Sequence, residues 1–380
     1  MGMVMEIKKL NIAPPSNYDN DNNYDYDKEA DSDTYYLYHK YDLILTVSRG
    51  QVIIENTTKL PFDLRHDKVV TYEHWLSWLK RRIHTISRTY LNQLYKQRRL
   101  GRGHVEVIND SAAIASTDLF WVTRPHLNHN WDKLQQLRDE SEATVRASLN
   151  GEVDLNEMNK IIKYGATDHT STLTVKGAFP KAVYKGSILK KGSNAHYEEM
   201  TYKLGYRLGF DVAHAEMIDK ETVACEIFTS EEISMTHAQE YLYPFNPITM
   251  EDIYERALDV FKWRPDIYKQ LERLFLLNYL VANFDLHGEN FGFLYDSDTF
   301  EIIKLAPAYD FNSAYDFQED TLAYDLYIMN MLPIFMKHNR DLINQLEQIE
   351  HHLADIRYMT NEQRKHIIER AKYLISISEN

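Results

Sequence analysis

The sequence predicts an α+β protein that has a small β-rich lobe, a large helical lobe and an extra N-terminal α/β region. Short segments rich in β-branched and aromatic residues lie near the N-terminus and again between residues 172 and 228. Beyond residue 249 the hydrophobic pattern is almost wholly helical, with one irregular segment over residues 285–315. A β-rich unit followed by a helical unit predicts a cleft between them, where ligands usually bind.

Composition indicates a soluble protein from a reducing compartment. The 380 residues are 44% hydrophobic and 26% charged, which is ordinary for a globular protein and long enough for two or three domains. Cys225 is the single cysteine, so an intrachain disulfide is excluded. The N-terminus lacks the apolar run of a signal peptide, and no segment approaches the roughly 20 apolar residues of a membrane helix. We therefore expect a cytoplasmic protein without a membrane anchor.

The net charge of −14 is unevenly distributed along the chain. Residues 17–34 hold seven acidic residues against one lysine, a composition that cannot form a core, and we predict a flexible acidic tail over residues 1–34. The segment Lys80–Arg102 holds eight Lys or Arg residues and no acid. Because the total charge is acidic, we do not expect binding of nucleic acid except through this basic segment.

Residues 35–165 are predicted to form an accessory region. Tyr35–Val47 and Gln51–Glu55 have strand-like composition, with a turn at Gly50. Apolar residues recur at three- and four-residue steps after Trp75, which predicts an amphipathic helix over Tyr72–Leu100. The polar face of this helix carries Lys80, Arg81, Arg88 and Lys96. This face is either solvated or a contact surface for a partner.

Residues 166–240 have the element order of a small β-rich lobe, and residues 241–380 follow as the helical lobe. The predicted strands are Thr172–Val175, Ala182–Tyr184, Ser187–Leu189 and Val223–Phe228. Turn residues separate these short runs, as expected for strands. A helix is predicted over Ala195–Leu208, and Gly209 ends it.

The chemically informative residues lie in a loop that follows an apolar helix. The sequence runs Asp285-Leu-His287-Gly-Glu-Asn290, a hairpin is predicted over residues 291–305, and a second acid follows at Asp310. Phosphoryl transfer needs a carboxylate that orients the attacking hydroxyl, and oxygen ligands for Mg²⁺. The Asp-x₄-Asn step followed by Asp-Phe therefore predicts a kinase that uses ATP.

In this interpretation Asp285 is the catalytic base, Asn290 and Asp310 hold Mg²⁺, and His287 hydrogen-bonds to the loop or to the γ-phosphate. Each residue alone also has a structural explanation, because an Asp before a loop usually serves as a cap or turn residue. Glu289 with His287 lacks the spacing of a zinc site. The combination of these residues at fixed offsets is what favours phosphoryl transfer.

These segments resemble the HipA-like kinases, whose catalytic loop reads Asp-x-His-x-x-Asn and which are distantly similar to phosphatidylinositol kinases. The resemblance extends from about Tyr35 to the end of the chain and is strongest between Leu173 and Tyr315. It includes residues 116–121, 173–181, 188–192, 197–198 and 204–209. The resemblance implies a bilobal protein-kinase-like fold, ATP and Mg²⁺ as ligands, and a Ser or Thr hydroxyl of a protein as acceptor.

The resemblance also implies which residues bind the phosphates of ATP. The lysine that pairs with the α- and β-phosphates is Lys190 or Lys191, and strand alternation allows only one of them to face the cleft. Lys191 is slightly favoured, because a glycine follows it directly. Glu198 is the expected ion-pair partner of that lysine, with Glu199 as the alternative.

Adenine is expected to bind through the backbone of Glu226–Thr229, a segment that includes Phe228. Two departures from the family pattern stand out. The loop between the first two strands of the β-rich lobe carries Gly177 and no glycine triplet, and Asp310 is followed by Phe-Asn rather than Phe-Gly. Neither departure removes a metal ligand.

A HipA-like kinase is expected to have a toxin or regulatory role and an antitoxin-like or regulatory protein partner. Two alternatives stay open. A kinase that acts on a lipid or small molecule could use the same loop, although the acidic total charge disfavours a membrane surface. A non-catalytic scaffold with a kinase fold is disfavoured because Asp285, Asn290 and Asp310 are all present.

Overall fold

The computed structural model describes residues 34–65, 69–82, 112–125, 127–135, 145–146, 149–150, 180–242, 249–317 and 326–378. The predicted acidic tail before Thr34 and the predicted strand Thr172–Val175 lie outside these residues, as does the basic segment beyond Arg82.

Three antiparallel sheets and a set of helices make up the described residues. The strands are β1 Thr34–His39, β2 Asp42–Ser48, β3 Gln51–Ile54, β4 Phe120–Thr123, β5 Lys181–Tyr184, β6 Ser187–Lys191, β7 Ala215–Met217, β8 Thr222–Glu226, β9 Ile233–His237, β10 Gly292–Asp296 and β11 Ile302–Leu305. The helices are α1 Tyr72–Arg81, α2 Trp131–Gln135, α3 His196–Leu208, α4 Ala238–Leu242, α5 Met250–Val260, α6 Pro265–Leu280, α7 Leu326–His338, α8 Ile343–Glu347, α9 Ile349–Leu353 and α10 Asn361–Ser378.

The first sheet has the order β3-β2-β1-β4, and helix α1 packs on it through Trp75 and Trp78. The predicted strands at its start are confirmed. Helix α1 begins where predicted, because the Thr71 side chain accepts a hydrogen bond from the backbone N–H of His74 as an N-cap. The predicted end at Leu100 is wrong, since the helix ends at Arg81 and Arg82 turns inward to Asp118.

The second sheet has the order β5-β6-β8-β7. Strands β5, β6 and β8 and helix α3 were predicted, whereas the three-residue strand β7 was not. Helix α3 ends at Gly209, whose φ of 78° is accessible to glycine at little cost. Ala195 beside the start of α3 and Val223 on β8 share a small apolar core.

The third sheet has the order β11-β10-β9. The predicted hairpin is confirmed by the pairing of Phe293 with Leu305, although β9 was not predicted. Tyr295 and Phe300 of the hairpin pack into the core beneath the first sheet. The third sheet therefore connects the N-terminal region with the later part of the chain. Strand β9 pairs with β10, so the sheet crosses the boundary predicted at residue 240.

The largest core lies among the helices that follow residue 249. Helix α6 is its centre, since Leu271 and Phe275 on one face and Leu280 on the opposite face are all fully buried. Among the described residues, no helix combines the length and the hydropathy that crossing a lipid bilayer requires.

Candidate active site

The predicted catalytic loop begins where helix α6 ends. Asn278 on the last turn donates its side-chain amide to the Leu274 carbonyl, and its own amide oxygen accepts a 2.7 Å hydrogen bond from Asn283. Both asparagines are buried. Between them Ala282 has a φ of 52°, a left-handed conformation that turns the chain out of the helix. The loop therefore starts from a buried, hydrogen-bonded position in the core.

Two hydrogen bonds close the loop upon itself. The Asn290 side-chain amide donates to the Asp285 carbonyl at 2.7 Å, and the Asn290 backbone N–H donates to the His287 carbonyl at 2.8 Å. Asn290 is buried, whereas the side chains of Asp285 and His287 are exposed to the cavity. Gly288 is required here, because a Cβ at this position would contact Gln239 at 2.9 Å. The structure thus brings Asp285, His287 and Asn290 together as predicted.

The hairpin β10–β11 returns the chain to Asp310, which lines the same cavity as the loop. The carbonyl of Ala308 accepts from the backbone N–H of Ala213, which ties this segment to the β-rich part of the chain. Asp310 has a φ of 68°, and a non-glycine residue in this region is usually held there by its surroundings. Its carboxylate accepts a 3.0 Å hydrogen bond from Lys190.

Lys190 on strand β6 is the centre of a buried ion cluster. Its ammonium lies 2.5 Å from Glu198 on helix α3 and 3.0 Å from Asp310. The slight preference for Lys191 is therefore wrong. Lys191 alternates to the other face of β6 and donates to Asn150. Glu199, the alternative partner, pairs with Lys203 one helical turn away.

Electrostatics within the cluster favour the charged forms. Burial disfavours the Lys190 ammonium, but Asp310 and Glu198 outweigh burial and hold its pKa well above the ordinary value. Burial would likewise raise the pKa of the Asp310 carboxyl, yet Lys190 and Lys181 outweigh it and lower that pKa to about 2. Lys190 and Asp310 are therefore both charged at neutral pH, and both line the cavity.

A cavity of about 450 Å³ connects these groups, within the size range of ligand pockets. Lys190, Glu198, Asp310 and the catalytic loop line it. The predicted adenine-binding residues line the same cavity: Glu226, Ile227, Phe228 and Thr229. Tyr309 packs beside Phe228 with its ring centroid 5.8 Å away. Sequence reasoning missed Tyr309 and also missed Lys181, a buried lysine on β5 that lines the same cavity.

The N-terminal region supplies a wall of this cavity, which the sequence did not predict. Thr229 donates to the Ser116 carbonyl at 2.6 Å, and the backbone N–H of Met235 donates to the Thr117 carbonyl at 2.7 Å. Arg81 lines the cavity beside Asp63, with which it forms an ion pair. The assignment of Arg81 to a solvated or partner-binding helix face is therefore wrong, because its guanidinium is used inside the molecule.

The residues that were predicted to hold Mg²⁺ have suitable chemistry for it. The side-chain amide nitrogen of Asn290 donates to the Asp285 carbonyl, so the amide oxygen is the Asn290 atom that can coordinate a metal ion. Asp310 adds a carboxylate on the same cavity. Among the described residues, no group of three or more His, Cys, Asp or Glu side chains could hold a metal by itself. Mg²⁺ at Asn290 and Asp310 would complete its shell with phosphate oxygens and water, as it commonly does.

Comparison with known proteins places these observations in a family. The model of the HipA-like C-terminal domain matches residues 157–375, more than half of the chain. Comparison with curated proteins gives no significant match.

Two solved structures show similarity to the chain. HipA of Shewanella oneidensis MR-1, solved with HipB and its operator DNA, has a TM-score of 0.54 at 14% identity. That alignment covers 91% of this chain and 97% of HipA, and it shows a shared fold. The proinflammatory kinase CtkA of Helicobacter pylori has a TM-score of 0.37 at 16% identity, with 53% of this chain and 92% of CtkA covered.

Proposed function

The chain belongs to the HipA-like C-terminal domain family, and on that premise we propose that it is a kinase that transfers the γ-phosphate of ATP to a Ser or Thr hydroxyl of a protein. One observation carries the proposal. The ion cluster of Lys190, Glu198 and Asp310 faces the same cavity as Asp285 and Asn290. Phosphoryl transfer needs positioning and charge stabilisation more than covalent chemistry, and these groups supply both.

Each residue has a distinct role in this proposal. Lys190, held by Glu198, binds the α- and β-phosphates, while the segment Glu226–Thr229 holds adenine. Asn290 and Asp310 hold Mg²⁺, which when bound neutralises charge on the phosphate oxygens. The sheet β5-β6-β8-β7 and the helices after residue 249 act as the small and large lobes around the cavity.

Asp285 orients the acceptor hydroxyl. The acceptor oxygen forms a bond to the γ-phosphorus as the bond from that phosphorus to the β–γ bridging oxygen breaks. ADP leaves with the bonding electron pair, and the hydroxyl proton passes to the Asp285 carboxylate. The hydroxyl of Ser313 lies 3.4 Å from Asp285 Oδ2, so a hydroxyl fits within reach of this carboxylate.

A protein partner is a further part of the proposal. The S. oneidensis HipA structure contains HipB and operator DNA. By analogy, an antitoxin-like protein is the partner we propose for this chain, with a toxin or regulatory role for its kinase activity.

Incubation with Mg²⁺ and ATP labelled with ³²P at the γ-position, in the presence of a cell lysate, tests the acceptor class. We expect label in the protein fraction, recovered as phosphoserine or phosphothreonine, and none in solvent-extracted lipid. The Lys190→Met variant should lose transfer by at least about 100-fold, whereas Lys191→Met, the matched control, should keep it.

Label in lipid would make the chain a lipid kinase. Absence of both transfer and Mg²⁺-dependent ATP binding in the wild-type protein would leave the scaffold interpretation.

A further inference from the structure

The cavity of about 450 Å³ that we assign to ATP is called the nucleotide cavity below. A second cavity of about 830 Å³ meets it at the catalytic loop. The two cavities share Asp285, Asn312 and Ser313. In the proposed function, the carboxylate of Asp285 orients the hydroxyl of the acceptor. A molecule in the second cavity would therefore contact Asp285 next to the cavity that we assign to the nucleotide. We call this second cavity the acceptor groove.

The walls of the acceptor groove are held by contacts with the core. Residues 312–317 form one side, and the backbone N–H of Tyr315 in this segment donates to the Val281 carbonyl at 2.7 Å. The hydroxyl of Tyr315 also lies 3.1 Å from that of Thr201 on α3. Phe317 stacks on His366 of helix α10, with ring centroids 4.8 Å apart. The groove is thus a formed feature of the described residues, with a wall contributed by α10.

The lining of the acceptor groove is acidic and aromatic. Its carboxylates are Asp285, Asp316 and Glu362, and the described residues that line it include no lysine or arginine. Its aromatic side chains are Tyr197, Phe284, Tyr315 and Phe317. Carboxylates pair with cations, and aromatic faces attract them as well. Both features therefore favour a positively charged occupant.

A guanidinium of the protein already lies close to two of these rings. Arg370 lies 5.4 Å from the ring centroid of Phe317 and 5.8 Å from that of Phe284. Its own hydrogen bond goes to the Tyr279 carbonyl at 2.6 Å. The same aromatic cluster is therefore compatible with a cationic side chain.

We propose that the acceptor groove binds the peptide segment that carries the acceptor hydroxyl, and that it selects segments with Lys or Arg beside that Ser or Thr. This inference rests on the proposed kinase function, because it assigns Asp285 to the acceptor. A lipid headgroup or a nucleotide would bring phosphate charges next to Asp316 and Glu362, and like charges repel. A basic peptide is complementary to both the charge and the rings.

A binding assay tests this inference without depending on catalysis. Three fluorescein-labelled serine peptides that differ only in Arg, Gln or Glu beside the serine are titrated with the full chain, and fluorescence anisotropy is recorded. We expect the arginine peptide to bind about 3- to 10-fold more tightly than the glutamine peptide, from two exposed ion pairs and a ring contact. The glutamate peptide should bind most weakly, and added salt should reduce the differences.

The double variant Asp316→Asn/Glu362→Gln should bind the three peptides alike. Glu251→Gln is the matched control, because Glu251 and Glu362 are both exposed second residues of helices that follow a threonine, and Glu251 does not line the groove. The control should keep the preference for arginine. Both variants should unfold at the same urea concentration as the wild type.

Equal binding of the three peptides by the wild-type chain would overturn the inference, and so would an unchanged arginine preference in the double variant. Competition by spermidine as strong as that of the arginine peptide would overturn the peptide as occupant. These outcomes do not depend on phosphate transfer. A preference that follows the two carboxylates, in a protein that never transfers phosphate, would refute the kinase proposal and retain a basic-peptide groove.

Discussion

Replacement of Lys190 by methionine tests the buried ion cluster most sharply. Lys190 keeps 8% of its side-chain surface exposed, Glu198 keeps 4% and Asp310 keeps 17%. Methionine is close to lysine in shape but has no charge. Two carboxylates would then face each other across a poorly solvated site with their shared cation removed.

The expected loss of stability follows from this burial. Removing one partner of a buried ion pair costs about 3–5 kcal/mol, because the remaining charge stays desolvated. We expect about 3 kcal/mol for Lys190→Met, since Asp310 is partly solvated. Lys191→Met is the matched control, and its loss should stay within about 0.5 kcal/mol, because Lys191 is a partly exposed residue whose ammonium donates to the exposed Asn150.

The direction in which stability changes with pH is an independent test of the ion cluster. In the wild type, Lys190 and Lys181 outweigh burial and lower the pKa of Asp310 from 3.8 to about 2. The stability from this carboxylate is therefore present above pH 3.8 and is lost only as the pH falls through about 2. Without Lys190, burial dominates and raises the pKa of Asp310 above its unfolded value. Stability of the variant should then fall as the pH rises through that higher pKa.

Urea unfolding of wild type, Lys190→Met and Lys191→Met at about pH 5 and about pH 8 measures both effects. The deficit of Lys190→Met should be about 1 kcal/mol larger at the higher pH. Adding Glu198→Gln to Lys190→Met should recover about 1–3 kcal/mol, the coupling expected for groups in contact. Equal losses for Lys190→Met and Lys191→Met, or a deficit that shrinks at high pH, would refute the reasoning.

Three further predictions concern the loop, the hairpin and the cysteine. Asp285→Asn should slow phosphate transfer by about 10²- to 10⁴-fold with unchanged ATP affinity, measured by initial rates and calorimetry; an unchanged rate would exclude Asp285 as base. Gly292→Ala should cost more than about 2 kcal/mol in urea unfolding, because its Cβ would overlap the backbone of the adjacent strand β9. Gly50→Ala is the comparison variant, because a Cβ at Gly50 would meet no neighbouring atom and only its φ of 75° is unfavourable for alanine. Gly50→Ala should cost about 1 kcal/mol, and equal costs for the two variants would contradict this reasoning. Burial raises the pKa of the Cys225 thiol to about 12, so iodoacetamide should modify the native protein at least about 100-fold more slowly than the unfolded chain; equal rates would contradict the burial.

Local sequence patterns predicted the elements that carry the candidate catalytic residues. The helix before the loop, the hairpin after it and the Gly209 end of α3 all have signals within a few residues. The convergence of Asp285 and Asn290 could be predicted because a short loop holds both. Strand β7 was missed, since Ala215–Met217 is too short to show a period. The five-residue strand β9 was missed as well.

The choice between Lys190 and Lys191 was not predictable from periodicity. One face of β6 carries Ile188 and Lys190, and the other carries Leu189 and Lys191, so each face has one apolar residue and one lysine. Lys190 is the lysine that faces the cavity, where it donates to Asp310, a residue 120 positions away in sequence. Only the tertiary fold brings the two residues together.

The N-terminal wall of the nucleotide cavity was unpredictable for the same reason. Arg82 lies at the end of an amphipathic helix and has the sequence context of a surface residue. Its burial depends on the bidentate pair with Asp118, which comes from 36 residues later in the chain. A pattern within one helix contains no information on such a partner.

The most direct test of the kinase proposal is transfer of the labelled γ-phosphate of ATP to protein in the presence of Mg²⁺. Wild type is compared with Asp310→Asn and with Asp298→Asn, a control at an exposed acid that pairs with Lys40. The account predicts labelled protein with the wild type and the control, and a loss of at least about 100-fold with Asp310→Asn. Equal labelling by all three proteins, or no labelling by the wild type, would contradict it.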